Sequence, residues 1–339
     1  MFKHYFNSRS IAILLASFAV LGATQAHAVQ RTHVSAAFGS DANTATNCSA
    51  AAPCRFFQAA MSVTDTNGEV IVLDSGGYGA VTITQSVALI APTGVYAGIS
   101  VFPGADGVTI ATAGVNVVLR GLSINGQGGN NGISMTAGNS LTVENCVISN
   151  LTQNGIMVNA AATVRVTDSI VRDNSLNGIS LQNGVKATIT RAVVSGNVNG
   201  NGIRVDGIIT STTTTADIAD STFDGNYNGV LTYSNNATAD VKVSVRDSRV
   251  VRNVNTGFLA QSNSGAAVSL SASNNIVANN NRGISAYFAG VKVWASGNTV
   301  SDNNVHGLEN NSALFETAGN NAVRNNGVNL GTITAIATQ

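Results

Sequence analysis

The sequence predicts an all-β solenoid in which one coil, built from three short strands, is wound again and again. Three observations carry that expectation. A phrase, Asn-Gly-Ile followed by a polar and an apolar residue, recurs at 131–135, 154–158, 177–181 and 201–205, with weaker copies at Asn228-Gly229-Val230, Thr256-Gly257-Phe258, Arg282-Gly283-Ile284 and His306-Gly307-Leu308. Its glycines lie 23, 23, 24, 27, 28, 26 and 24 residues apart, a period at which each unit buries its apolar face only by stacking on its neighbours. Composition agrees: 35 Gly, three Pro and 10% charged residues suit many short strands joined by tight turns.

Residues 1–28 read as a secretory signal peptide. Lys3 and Arg9 precede an apolar run from Ile11 to Leu21, and Ala26-His27-Ala28 is an A-x-A site, so cleavage is expected after Ala28. The product is expected to be secreted, periplasmic or held at the cell surface. No later stretch reaches the roughly 20 apolar residues needed to cross a bilayer. Removing Lys3 and Arg9 from 17 basic residues leaves 15 against 17 acidic ones. That balance gives no drive toward nucleic acid or anionic lipid.

Residues 29–80 form a segment expected to close the first end of the solenoid. Pro53 to Met61 suits an amphipathic helix with Phe57, Ala60 and Met61 on one face. Gly68 to Leu73 is a strand, and Gly76-Gly77-Tyr78-Gly79 a turn. Cys48 and Cys54 are expected to be bridged in an oxidising compartment. Cys146 aligns with Ser169, Ala192, Ser221 and Ser248, a small-residue slot inside the coil, and is expected to be an inert buried thiol. With only His33 and His306 outside the signal peptide, no Cys/His metal site is expected.

The coil can be followed through one repeat. Ile156 and Val158 point inward and Met157 outward; Asn159 to Ala162 turn; Thr163 to Thr167 alternate again with the valines inward. Asp168-Ser169 bends the chain, Ile170-Val171 forms a third strand, and Arg172-Asp173-Asn174 leads to the next phrase. Asn145, Asp168, Asp220, Asp247, Asn274 and Asn320 occupy the bend between second and third strands, with Arg191 as the exception; Asn and Asp suit a left-handed backbone there and would form a ladder along the axis. The recurrent glycine is expected to serve positive φ or close packing.

The pattern G-I-x-V, turn, x-V-x-V, Asn/Asp-Ser, aliphatic, Asn resembles the repeat of right-handed parallel β-helix proteins of the pectin-lyase-like superfamily, from about Val81 to Ile336. The resemblance implies a single right-handed parallel β-helix over 81–339, with three sheets and a short N-terminal capping helix. It also implies polysaccharide as the partner, bound on the outer face of the first-strand sheet. The register places Ser134, Met157, Ser180, Arg204, Leu231, Leu259, Ser285 and Glu309 in that outward column.

That column argues against the superfamily's usual chemistry. A calcium-dependent lyase needs clustered carboxylates and a base, and a glycoside hydrolase needs two carboxylates about 5–9.5 Å apart; the column has one acid, Glu309. The Gly-His-Gly, Asn-Thr-Asp and Asp-Asp motifs of the polygalacturonase branch are missing, so no catalytic residue is carried over. No cofactor is expected, and calcium has no carboxylate cluster to hold it.

Two surfaces remain as candidates. Arg282 and His306 share a slot in adjacent coils, about 5 Å apart, with Glu309 on the same strand as His306 and Asp302 in the turn before it; together they could bind a uronic acid or move a proton. Enlarged turns at 206–215, 233–240 and 261–267 are bordered by Arg204, Tyr227 and Tyr233, which suit sugar rings. Trp294 is expected to pack on the coil surface. The expected function is an exported, non-catalytic β-helix contacting polysaccharide at the envelope or in a matrix. The alternatives are a divergent lyase, hydrolase or epimerase acting on an acidic polysaccharide, and a surface structural or adhesion protein. Thr332 to Ile336 offers a strand edge through which another chain could associate.

Overall fold

The computed structural model describes residues 29–336, so the signal-peptide reading of 1–28 lies outside the described residues. The chain winds as a parallel β-solenoid with three sheets of 11, 13 and 11 strands, named here for the order of their strands in each coil. First-sheet strands run from Val81–Ile83 to Val328–Leu330, second-sheet strands from Val29–Val34 to Thr334–Ala335, and third-sheet strands from Gly76–Gly77 to Ala322–Arg324. Coils pair with the next in parallel, in register apart from an irregularity between Val29 and Arg31 at the first end, so Ile133, Ile156, Ile179 and Ile203 stack as one column, as the repeat phrase requires. These residues are fully buried, as are Val158, Leu181 and Val205 two positions on. Alternation thus turns a period of two in sequence into continuous aliphatic stacks along the axis.

The turns follow the expected residue chemistry with two corrections. Asn145, Asp168, Arg191, Asp220, Asp247 and Asn274 all take left-handed backbone, φ 51 to 55°. Arg191 bears that conformation while its guanidinium pairs with Asp168 of the preceding coil at 2.6 Å. Asn320 does not belong to this group, because the positive φ of its turn falls on Gly319, at 75°. Nor does this column form the asparagine ladder. Two other columns do over much of the solenoid, and a third does through Asn275, Asn298 and Asn321. The asparagine that opens each phrase donates to the one before it, from Asn154 to Asn131 at 3.0 Å and onward to Asn255. A second, buried ladder runs from Asn174 through Asn197, Asn226, Asn253, Asn280 and Asn303 to Asn326 at 2.7–3.2 Å. Each side chain satisfies its neighbour's amide groups, which makes a buried polar column tolerable.

The phrase's glycine is required by close approach rather than by φ. A Cβ on Gly178 would lie 2.4 Å from Val194 Cγ1 and 2.7 Å from the carbonyl oxygen of Gly202. Cys146 sits in its slot, 1% exposed, and burial pushes its thiol up to about 11. Its backbone amide donates to Ser169 Oγ, and the amides of Ala192 and Ser221 donate to Ser221 and Ser248 in the same slot.

At the N-terminal end the helix is shorter than its sequence suggests, Phe57–Met61, with Phe57, Ala60 and Met61 buried. Residues 53–56 stay extended because Cys54, disulfide-bonded to Cys48, bridges to Val34 as a strand residue. The strand Val29–Val34 has no counterpart in the sequence reading. It pairs with Thr64–Val72, and its inward residue Thr32 bonds Thr64 at 2.8 Å, a polar pair that hides the aliphatic alternation. The enlarged turns are also partly strand: first strands lengthen to Asn201–Gly207, Asn228–Ser234 and Thr256–Ser262, leaving true turns at 208–212, 235–239 and 263–267.

Candidate functional site

The outer face of the first sheet carries two outward lanes. One is the expected column, in the register Arg204, Leu231, Leu259, Ser285, Glu309 through successive coils. The other, two residues further along each strand, runs Gln182, Asp206, Tyr233, Gln261, Tyr287, Asn311. The face is recessed: Leu231 and Leu259 are 8% and 6% exposed, and Ser285 is fully buried.

One end of this face is organised around Glu309. Ser285 and Tyr287 donate hydroxyl hydrogen bonds to its Oε2 at 2.9 and 2.6 Å. Arg282 Nε lies 3.1 Å from the same oxygen, and His306 Nδ1 lies 3.3 Å from Oε1. The Arg282 Nε approach is a charge contact rather than an aligned hydrogen bond, and His306 Nδ1 likewise makes no aligned hydrogen bond. Arg282 and His306 are register partners, as expected. Arg282 also donates to Asn255 and so ends the phrase's asparagine ladder. Burial and then the Glu309 hydrogen bond push the Tyr287 phenol up to about 12, which keeps it a neutral donor. His306 Nε2 makes no hydrogen bond among the described residues.

A second cluster lies on the same face. Arg204 Nε meets Asp206 Oδ2 at 2.6 Å, Gln182 approaches that oxygen at 3.4 Å, and the Arg204 guanidinium stands 5.4 Å from the Tyr233 ring centre. Asp206 is fully buried and its Oδ1 has no partner. Burial raises its pKa against the opposing pull of Arg204.

The structure therefore joins Arg282, His306 and Glu309, and separately Arg204 and Tyr233. It leaves out two candidates. Asp302 is exposed in a left-handed turn and makes no contact with the Glu309 cluster. Tyr227 sits at the opposite end of its strand from Tyr233, because it closes the turn from the third sheet rather than the enlarged turn. Tyr287, Ser285 and Asp206 complete the two clusters. Tyr287 and Asp206 were legible only by extending the outward register two residues past Ser285 and Arg204.

The arrangement limits the chemistry. Asp206 and Glu309 stand four coils apart in their lanes, about 19 Å, well beyond the 5–9.5 Å of a glycosidase pair. Calcium does not fit at Glu309, where Arg282 and His306 crowd the carboxylate and no second acid faces it. Among the described residues no group of three or more His, Cys, Asp or Glu side chains is placed to hold a metal ion.

Residues 59–207 match the family model of the right-handed β-helix region. No curated protein matches the chain in sequence. Among solved structures, pectate lyase Pel9A superposes with a TM-score of 0.62 at 16% identity, over 87% of this chain and 79% of that one. XylC, solved in complex with xylose, gives 0.53 at 10% identity over 90% and 70%. The periplasmic alginate epimerase AlgG gives 0.50 at 11% identity over 80% and 75%. At these identities the likeness establishes the fold alone. The chain folds as a right-handed parallel β-helix, and its residues 59–207 carry the sequence pattern of that region.

Proposed function

We propose that this protein is an exported, non-catalytic β-helix that holds polysaccharide on the outer face of its first sheet, between the Arg204–Tyr233 and Arg282–Glu309 clusters. The observation that carries the reading is the state of Glu309. It is the one carboxylate of its lane: its Oε2 accepts from Ser285 and Tyr287 and pairs with Arg282, while His306 approaches Oε1. A carboxylate so committed organises a recognition surface. Around it stand planar groups and donors suited to sugar rings and hydroxyls, with the Leu231–Leu259 strip between the clusters. The Cys48–Cys54 disulfide fits an oxidising compartment outside the cytosol.

A second reading is favoured by one contact. His306 lies 3.3 Å from Glu309 through Nδ1 while Nε2 makes no hydrogen bond among the described residues, which leaves a ring nitrogen open on this face for general-base work, with Tyr287 donating to the same carboxylate. That reading makes the protein a divergent polysaccharide lyase or epimerase. One experiment separates the two. The protein is incubated with polygalacturonate, alginate and xylan, with and without calcium, and retention, unsaturated products and epimer content are measured. Retention without product, weakened by Arg282→Gln and Tyr233→Ala, is expected. Product formation abolished by His306→Ala would replace the binding reading with the enzymatic one.

A further inference from the structure

The three lysines among the described residues occupy a single lane on a different face. Lys186, Thr215, Lys242, Ser269 and Lys292 are consecutive register partners on the outside of the second sheet. Amines and hydroxyls therefore alternate along the axis, with one amine every second coil, about 9.6 Å apart. All three lysines are exposed, and none makes an ion pair or a side-chain hydrogen bond among the described residues. By contrast, eight of the arginines are tied into ion pairs. The lane edges a trough of about 690 Å³ floored by small side chains. Trp294 lies in the adjoining lane, half-buried, in the same coil as Lys292. Two carboxylates, Asp217 and Glu316, also line the trough, in the adjoining lane rather than the lysine lane.

We infer that this trough is a second binding site, for an acidic polysaccharide lying along the solenoid axis. A comb of cations with a spacing of two coils matches a polymer whose units are about as long as a coil is thick and whose anionic groups recur every second unit, or more often. Between the amines, Thr215, Ser269 and the two carboxylates meet sugar hydroxyls, and Trp294 offers a ring for stacking at one end. Nucleic acid fits poorly, because its phosphates recur every 3.4 Å along each strand, far more densely than the lysines. The site is separate from the first-sheet face, so either can fail without the other.

The test is affinity electrophoresis of the full protein through gels containing polygalacturonate, with hydroxyethyl cellulose and single-stranded DNA as comparison probes. Wild type should be retarded by polygalacturonate and not by the neutral polymer. Its affinity should fall roughly twentyfold between 50 and 200 mM salt, the loss expected from releasing counterions at three contacts at about 0.7 per contact. The triple substitution Lys186→Gln, Lys242→Gln, Lys292→Gln should remove most of that salt-dependent retardation, whereas the triple Lys→Arg variant should keep it. Because all three lysines are exposed, the Gln variant should melt as wild type does, and a lower melting temperature shifts the comparison to the three single substitutions, each expected to weaken retardation. Undiminished binding by a folded Gln variant, or equal lysine-dependent retardation by DNA, would overturn the proposal.

Discussion

Asp74 and Asp206 are both drawn away from water, yet their surroundings set them in opposite directions. Burial works against the Asp74 carboxylate, but hydrogen bonds from Ser35, Tyr78 and the amides of Ala36 and Ala37 outweigh it and hold its pKa at about 2. The folded value lies below the ordinary one, so this stabilisation is complete above about pH 4 and is lost as pH falls toward 2. Wild type should therefore lose more melting temperature than Asp74→Asn between pH 5 and pH 2, read by circular dichroism; parallel curves would contradict the assignment. Asp206 has the reverse sign. Burial raises its folded pKa, so its contribution is present at low pH and is lost as pH rises through that raised value. Asp206→Asn should melt above wild type at pH 7, with the gap closing below the ordinary carboxylate range. A gap that does not change with pH would show that Arg204 compensates the charge fully.

Between coils, the forces that set register are side-chain contacts too distant in sequence to be seen as pairs. Asn226 accepts from Asn197 and donates to Asn253 and to the carbonyl of Val194, across 27 to 32 residues. Asn226→Ala should cost at least about 3 kcal/mol in denaturant unfolding, because buried amide groups on both neighbours lose partners. Gly178→Ala should destabilise by forcing its Cβ into Val194 and the Gly202 carbonyl. Ile179→Asp would place an unpartnered charge in the stacked core and should abolish folding at moderate temperature; unchanged melting would show that the inward register is wrong. The sequence reading marked Asn and Gly as structural and recovered the strand order, because alternation and a fixed repeat are local signals. It put the asparagine ladder in the wrong column, because side-chain bonding across coils depends on the depth of each turn. It missed the strand Val29–Val34, whose inward Thr32 is polar and pairs with a residue 32 positions away.

As a whole, the molecule is a rod whose faces are defined by register, so a residue's partners are those one coil above and below. That geometry made Arg282, His306 and Glu309 readable as neighbours before any fold was in hand. It also explains why Asp302 and Tyr227 fail to join a cluster: both lie in turns, where no alternation fixes direction. Tyr287 was missed because the outward lane was followed for only one residue per strand. On the proposed function, the first-sheet face binds polysaccharide and does not transform it. The most direct test is affinity electrophoresis through polygalacturonate, alginate and xylan, in a background where Lys186, Lys242 and Lys292 are replaced by Gln to leave that face alone. Retardation by at least one polymer is expected, weakened about tenfold by Arg282→Gln, whose charged donor is lost, with the polymer recovered unchanged. Retardation indifferent to Arg282, or a polymer recovered with new unsaturated ends, would contradict the proposed function.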